Sequence, residues 1–147
     1  MTINRANNRN FLQTSDWPIQ DLPGLSPEEQ AQLQNCGINT TEELIKRGKT
    51  PEERIELAGK LQVNLHSVNK WVVLAGLARV PSVGTQYCGV LLHAGVISIA
   101  QLAQTPTHRL HRQVMRLQVA TLHSRDLCPA VELVQQWSHQ AQAMGNY

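Results

Sequence analysis

Arg109, Arg112 and Arg116 are spaced three and four residues apart. On a helix advancing about 100° per residue they share one face with His108 and His123, opposite an arc of Leu110, Val114, Leu117 and Thr121. A row of guanidinium groups has one evident chemistry, bidentate hydrogen bonding to phosphate or carboxylate oxygens. A solvated surface helix carries the same kind of face. A membrane-docking helix would add Trp or Phe anchors, which this apolar arc lacks. His108 and His111 stand three apart, but no third ligand accompanies them, so no metal is expected. Cys36 and Cys128 precede Gly37 and Pro129 at helix ends, where a thiol can be activated, although packed, unreactive thiols are the plainer expectation. No phosphate-binding Gly-rich loop, GxSxG or HExxH occurs, and the carboxylates cluster where helix capping explains them. No enzyme, cofactor or small-molecule substrate is expected.

Charge is unevenly spread along the 147 residues. Nine carboxylates lie between Asp16 and Glu56 against four basic residues. From Leu57 to Arg125 there is no carboxylate, while Lys60, Lys70, Arg79, Arg109, Arg112, Arg116 and Arg125 all fall there. A polyanion should meet this second half.

Positioning these residues falls to helices. Hydrophobic residues make up 41% and aromatics only 4%, so Leu, Val, Ile and Ala must fill the core. Helix-start signals recur at Ser26-Pro27-Glu28-Glu29, Thr40-Thr41-Glu42-Glu43, Thr50-Pro51-Glu52-Glu53 and Ser98-Ile99-Ala100-Gln101. Gly37 and Gly95 are placed to close helices. The spacing predicts an all-α protein of about eight short helices, at 26–35, 40–47, 51–61, 65–78, 85–94, 99–104, 107–124 and 129–143, with no strand. Trp71 and Trp137, each followed by an alanine four residues on, read as core or interface anchors. Three scattered cysteines without CxxC spacing, no long apolar run and a polar, Asn-rich start predict a cytoplasmic chain without membrane insertion.

A repeat of 58 residues organises the series. Leu22-Pro23-Gly24-Leu25 aligns with Val80-Pro81-Ser82-Val83, Leu33 with Leu91, Gly37-Ile38 with Gly95-Val96, and Leu44 with Leu102. Beyond these positions the match requires a gap of two or three residues. The expected division is a disordered arm over 1–16, a first unit over 17–78, a second over 79–143 and a tail over 144–147.

The pattern Leu22-Pro23-Gly24-Leu25-Ser26, Leu33, Cys36-Gly37-Ile38 and Leu44 resembles the helix-hairpin-helix unit of DNA-handling proteins, and Val80 to Leu102 resembles it again. The pair, joined through Val68-Asn69-Lys70-Trp71, is similar to a bacterial domain-of-unknown-function family built from tandem helix-hairpin-helix (SAM-like) units. That resemblance implies one compact domain and lends no activity. In helix-hairpin-helix proteins a Gly-apolar-Gly hairpin aims backbone amides at a DNA phosphate. Here the first hairpin reads Gly24-Leu25-Ser26 and the second Ser82-Val83-Gly84, each short of one glycine. Glu28 and Glu29 follow the first and would repel a phosphate, whereas no acid lies near the second.

Two alternative functions are therefore weighed for this chain, the first slightly favoured. One is low-specificity nucleic-acid binding through Ser82, Val83, Gly84 and Thr85 with Arg109, Arg112 and Arg116, flanked by Lys70 and Arg79. The other is a protein-interaction adaptor gripping an acidic partner with the same surface.

Overall fold

The computed structural model describes residues 15–122 and 129–144; the arm to residue 14, His123, Arg125, Cys128 and residues 145–147 lie outside them, as does the side chain of Thr121. The described residues form α1 (Pro27–Asn35), α2 (Thr41–Arg47), α3 (Pro51–Leu61), α4 (Leu65–Ala78), α5 (Gly84–His93), α6 (Ile99–Gln104), α7 (Thr107–Leu122) and α8 (Val131–Met144). A 3-10 turn at Ile19–Asp21 precedes them, and no strand occurs among the described residues beyond an isolated bridge between Pro18 and Thr40. The fold is thus all-helical and compact, with helix bounds within two residues of those expected.

Caps set these bounds. Ser26 Oγ accepts the Glu29 amide while Glu29 Oε1 accepts the Ser26 amide, and Thr50 with Glu53 repeats the exchange, each with Pro at the first helical position. A cap of this kind stabilises its helix by about 1 kcal/mol. Pro supplies the helical φ without losing a needed donor.

One turn is built twice. After α1, the Gly37 amide donates to Gln34 O and the Ile38 amide to Leu33 O at 2.9 Å; after α5, Gly95 donates to Leu92 O and Val96 to Leu91 O at 3.0 Å. Both glycines are left-handed, with φ of 85° and 94°. A side chain there would be strained. The next helix opens alike in both places. Thr40 Oγ1 accepts the Glu43 amide and Ser98 Oγ the Gln101 amide, while Glu43 Oε1 takes the Asn39 amide and Gln101 Oε1 the Ile97 amide. Leu33, Ile38 and Leu44 are buried behind the first turn, and Leu91, Val96 and Leu102 behind the second.

Helices α4 and α8 supply the main anchors. Val68, Trp71 and Ala75 recur as Val134, Trp137 and Ala141, all buried. Helix α4 packs on α2 and α3, and α8 packs on α6 and α7 in the same way, so the last helix closes the core of its own chain. The α4–α5 contact joins the halves into one core. The segment before α1 is fastened to α2 and to the end of α4: Trp17 Nε1 donates to Ala78 O at 2.6 Å, the Trp17 amide donates to Thr41 Oγ1, and Asp16 Oδ1 accepts the Glu42 amide.

Candidate polyanion-binding face

Helix α7 starts after Pro106, whose carbonyl accepts the Leu110 amide. Leu110 and Val114 are wholly buried, which fixes the roll of the helix and turns Arg109, Arg112 and Arg116 to solvent. The three span about 10 Å along the axis. None of them has an ion pair among the described residues. A guanidinium left in water keeps its forked donors available to an incoming oxyanion. His108 is exposed beside them, whereas His111 Nε2 lies 3.2 Å from Pro129 O and is tied to the chain. Among the described residues no group of three His, Cys, Asp or Glu side chains is placed to hold a metal.

The hairpin residues are engaged internally. The Ser82 amide and Oγ both donate to Gln140 Oε1, at 2.9 and 2.7 Å, and Ser82 O accepts Trp137 Nε1. The Val83 and Gly84 amides both donate to Val80 O. Val83 is buried, and the Trp17 ring covers Gly84, within 2.9 Å of where a Cβ would stand. Thr85 is half-buried and its carbonyl faces the Cys88 thiol. In the first hairpin the Ser26 amide is likewise taken, by Glu29. Neither hairpin presents these amides to a phosphate.

The flanking cations also part company. Arg79 Nε pairs with Glu42 Oε1 at 3.0 Å, so one charge of the acidic stretch neutralises it. Lys70 is exposed, but its stem lies over Gly24 of the first hairpin, and it borders a groove with His66, Asn69, Val73 and Leu92. Arg109 of α7 instead adjoins the Gly95 turn. Arg109 lines an open groove of about 390 Å³ with Gly95, Val96, Gln104, Thr105 and Gln113. That turn and Gly84 sit at opposite ends of α5, roughly 15 Å apart. The structure therefore sets Arg109, Arg112 and Arg116 on one exposed face of α7, with Arg109 at the end of α5 opposite Gly84 and its hairpin, while Arg79 is spent on Glu42.

The first half has a counterpart to this groove, and it is filled. Position 47, the equivalent of Thr105, is Arg47, whose Nη1 donates to Cys36 O at 2.9 Å. Only about 120 Å³ remains there, lined by Arg47, Glu53, Glu56, Leu57 and Lys60. Counted from the first residues of α3 and α7, Glu53 corresponds to Arg109, Glu56 to Arg112, Leu57 to Gln113 and Lys60 to Arg116. Thr105 is shorter and turns its hydroxyl back to Gln101 O, leaving the space open. The same backbone thus carries a narrow groove of mixed charge in one half and an open one, with Arg109 as its one charged lining residue, in the other. Sequence reasoning missed the groove because the charge reversal emerges only when a two-residue gap is placed between α2 and α3. It also missed that the repeat resumes in α8 at a spacing of 66, which the Val-Trp-Ala triplets signal.

Cys88 is wholly buried, and burial pushes its thiol up from an ordinary 9.0 to about 12, against smaller opposing hydrogen bonds from the Gly89 and Cys88 backbone. It is a packed, un-ionised side chain at neutral pH. No described helix is long and apolar enough to cross a membrane.

No curated protein matches the chain, and no solved structure does. Residues 23–144, which take in both Gly turns, both tryptophan helices and the arginine row, match the family described as Domain of unknown function (DUF4332), and the chain belongs to that family.

Proposed function

We propose that the chain is a non-enzymatic, cytoplasmic binding module made of two helix-hairpin-helix-like (SAM-like) units, and that α7 binds the phosphate backbone of nucleic acid with low sequence specificity. The observation that carries this reading is the solvent-facing row Arg109, Arg112 and Arg116, unpaired among the described residues. The free cysteines Cys36 and Cys88 fit a reducing compartment. Contact falls on side chains and not on hairpin amides, since the Ser82 amide is held by Gln140 and the Ser26 amide by Glu29.

Three arginines on three phosphates give a log-log salt slope of about −2.7 on a duplex. Affinity then falls about 40-fold between roughly 50 and 200 mM salt. Titrating duplex and single-stranded DNA at these two concentrations tests the reading. No measurable affinity for either at the lower one eliminates it.

A second reading, an adaptor for an acidic protein partner, draws on the internally satisfied hairpins, which lack the amide cradle that helix-hairpin-helix proteins use on DNA. Capture of a protein from cell extract that survives nuclease treatment and is lost in the triple variant R109Q/R112Q/R116Q would favour it. Recovery only when nucleic acid is intact would exclude it.

A further inference from the structure

We propose that the groove beside Gly95 receives an unpaired nucleobase, so that the module selects single-stranded over duplex nucleic acid; this rests on the phosphate-binding reading of α7. The groove and the arginine row are one surface, because Arg109 belongs to both. Its volume, about 390 Å³, lies in the usual range of small-ligand sites.

The lining separates charge from neutral hydrogen-bonding capacity. Inside are Gln104 and Gln113, whose side-chain amides make no hydrogen bond to the described residues. Gln101, by contrast, is spent: its Nε2 donates to Gly95 O and its Oε1 accepts the Ile97 amide. A free carboxamide presents a donor and an acceptor side by side, the pattern that pairs with the edge of a base. Val96, Ala94 and Pro106 add apolar wall, and the Arg109 guanidinium is a plane on which a base can stack. Around this neutral interior the cations stand at the rim and along α7. That order matches a nucleotide, with a neutral planar base inside and phosphates outside. An acidic peptide would find one cation, Arg109, and otherwise neutral amides in the groove.

Selectivity for single strands follows from the cost of freeing a base. A base reaches the groove only by leaving its stack, which costs a paired base several hydrogen bonds and an unpaired one little. The first half cannot do the same, since Arg47 fills the corresponding space and Glu53 and Glu56 face a phosphate with like charge.

The test measures fluorescence polarisation of four labelled probes at low salt with the full chain: a single strand, an abasic strand of equal length, the duplex, and polyglutamate. The expected result is about tenfold tighter binding of the single strand than of the abasic strand or the duplex. Variant Q104A/Q113A should bring single-strand affinity down to the abasic level, with circular dichroism verifying its fold. Equal binding of abasic and intact strands overturns the base-reading groove while leaving phosphate binding by α7 standing. Binding of polyglutamate alone, or of none of the four, overturns both.

Discussion

Between Asn35 and Thr41, and again between His93 and Ile99, the chain makes the same turn with the same hydrogen bonds. The side chains around the two turns do opposite things. At the first, Arg47 lies against the end of α1 and donates to Cys36 O, as a cation suits a helix C-terminus, and Glu53 and Glu56 stand beyond it. At the second, Thr105 leaves the space empty and Arg109 and Arg112 replace the two glutamates. Backbone-facing positions, such as the glycines and the caps, hold the shape. Positions outside that set are free to diverge, and here they diverge from a narrow surface of mixed charge to an open one without carboxylates. Under the proposed function, one half serves as scaffold and the other carries the candidate site.

The comparison breaks most readily in the core. Trp71→Ala and Trp137→Ala each remove a buried indole from corresponding helices, and each should destabilise by about 3–5 kcal/mol. Because α4 joins α5 in one core, urea unfolding followed by circular dichroism should shift as a single transition in both variants. A separate surviving transition in Trp137→Ala would mean that the halves fold independently.

Next comes a difference between the halves in alkali. Cys88 is buried where the first half has half-buried Gln30. Its folded pKa of about 12 exceeds the ordinary 9.0, so the unfolded state loses the proton first. Stability is therefore full below 9.0 and declines as pH rises towards about 12, by at most about 1.4 kcal/mol per pH unit. Urea midpoints should fall over that window in the native chain and fall less in Cys88→Ala. Equal pH dependence in the two would contradict the buried thiol.

Glycine substitutions sharpen the likeness. Gly37→Ala and Gly95→Ala meet no atom within 4 Å, so each should cost only the left-handed backbone penalty, about 1–2 kcal/mol, and by equal amounts. Gly84→Ala adds a clash with Trp17 at 2.9 Å and should cost more than either in thermal unfolding. The smallest stability effects belong to the groove exchange. Arg47→Thr and Thr105→Arg alter exposed or half-exposed contacts and should each change stability by less than about 1 kcal/mol. Yet Thr105→Arg should fill the second groove and remove the preference for a single strand, while Arg47→Thr creates none, because glutamates line the space it opens.

Much of this was legible in the sequence because it is local. Capping Ser and Thr residues with Glu three positions on, Pro at the first helical position and Gly at the close fixed the helix bounds almost residue by residue. The exposed arginine row followed from the burial of Leu110 and Val114. The junctions between elements were not legible. That the Ser82 amide meets Gln140 and that Trp17 covers Gly84 depends on which faces the packed helices bring together, and such partners lie 58 and 67 residues away in sequence. For the same reason the expected grouping of hairpin and arginines loosens: Arg109 and Gly84 lie at opposite ends of α5, and neither spacing nor charge specifies that. The 3-10 turn at Ile19–Asp21 is too short for a periodic signal.

The account turns on phosphate contact by the three arginines of α7, and the salt slope of single-strand binding in each single variant, Arg109→Gln, Arg112→Gln and Arg116→Gln, tests it most directly. Each replacement should lower the slope by about 0.7 and weaken binding to every sequence alike. Slopes identical to that of the unaltered chain in all three variants would contradict it.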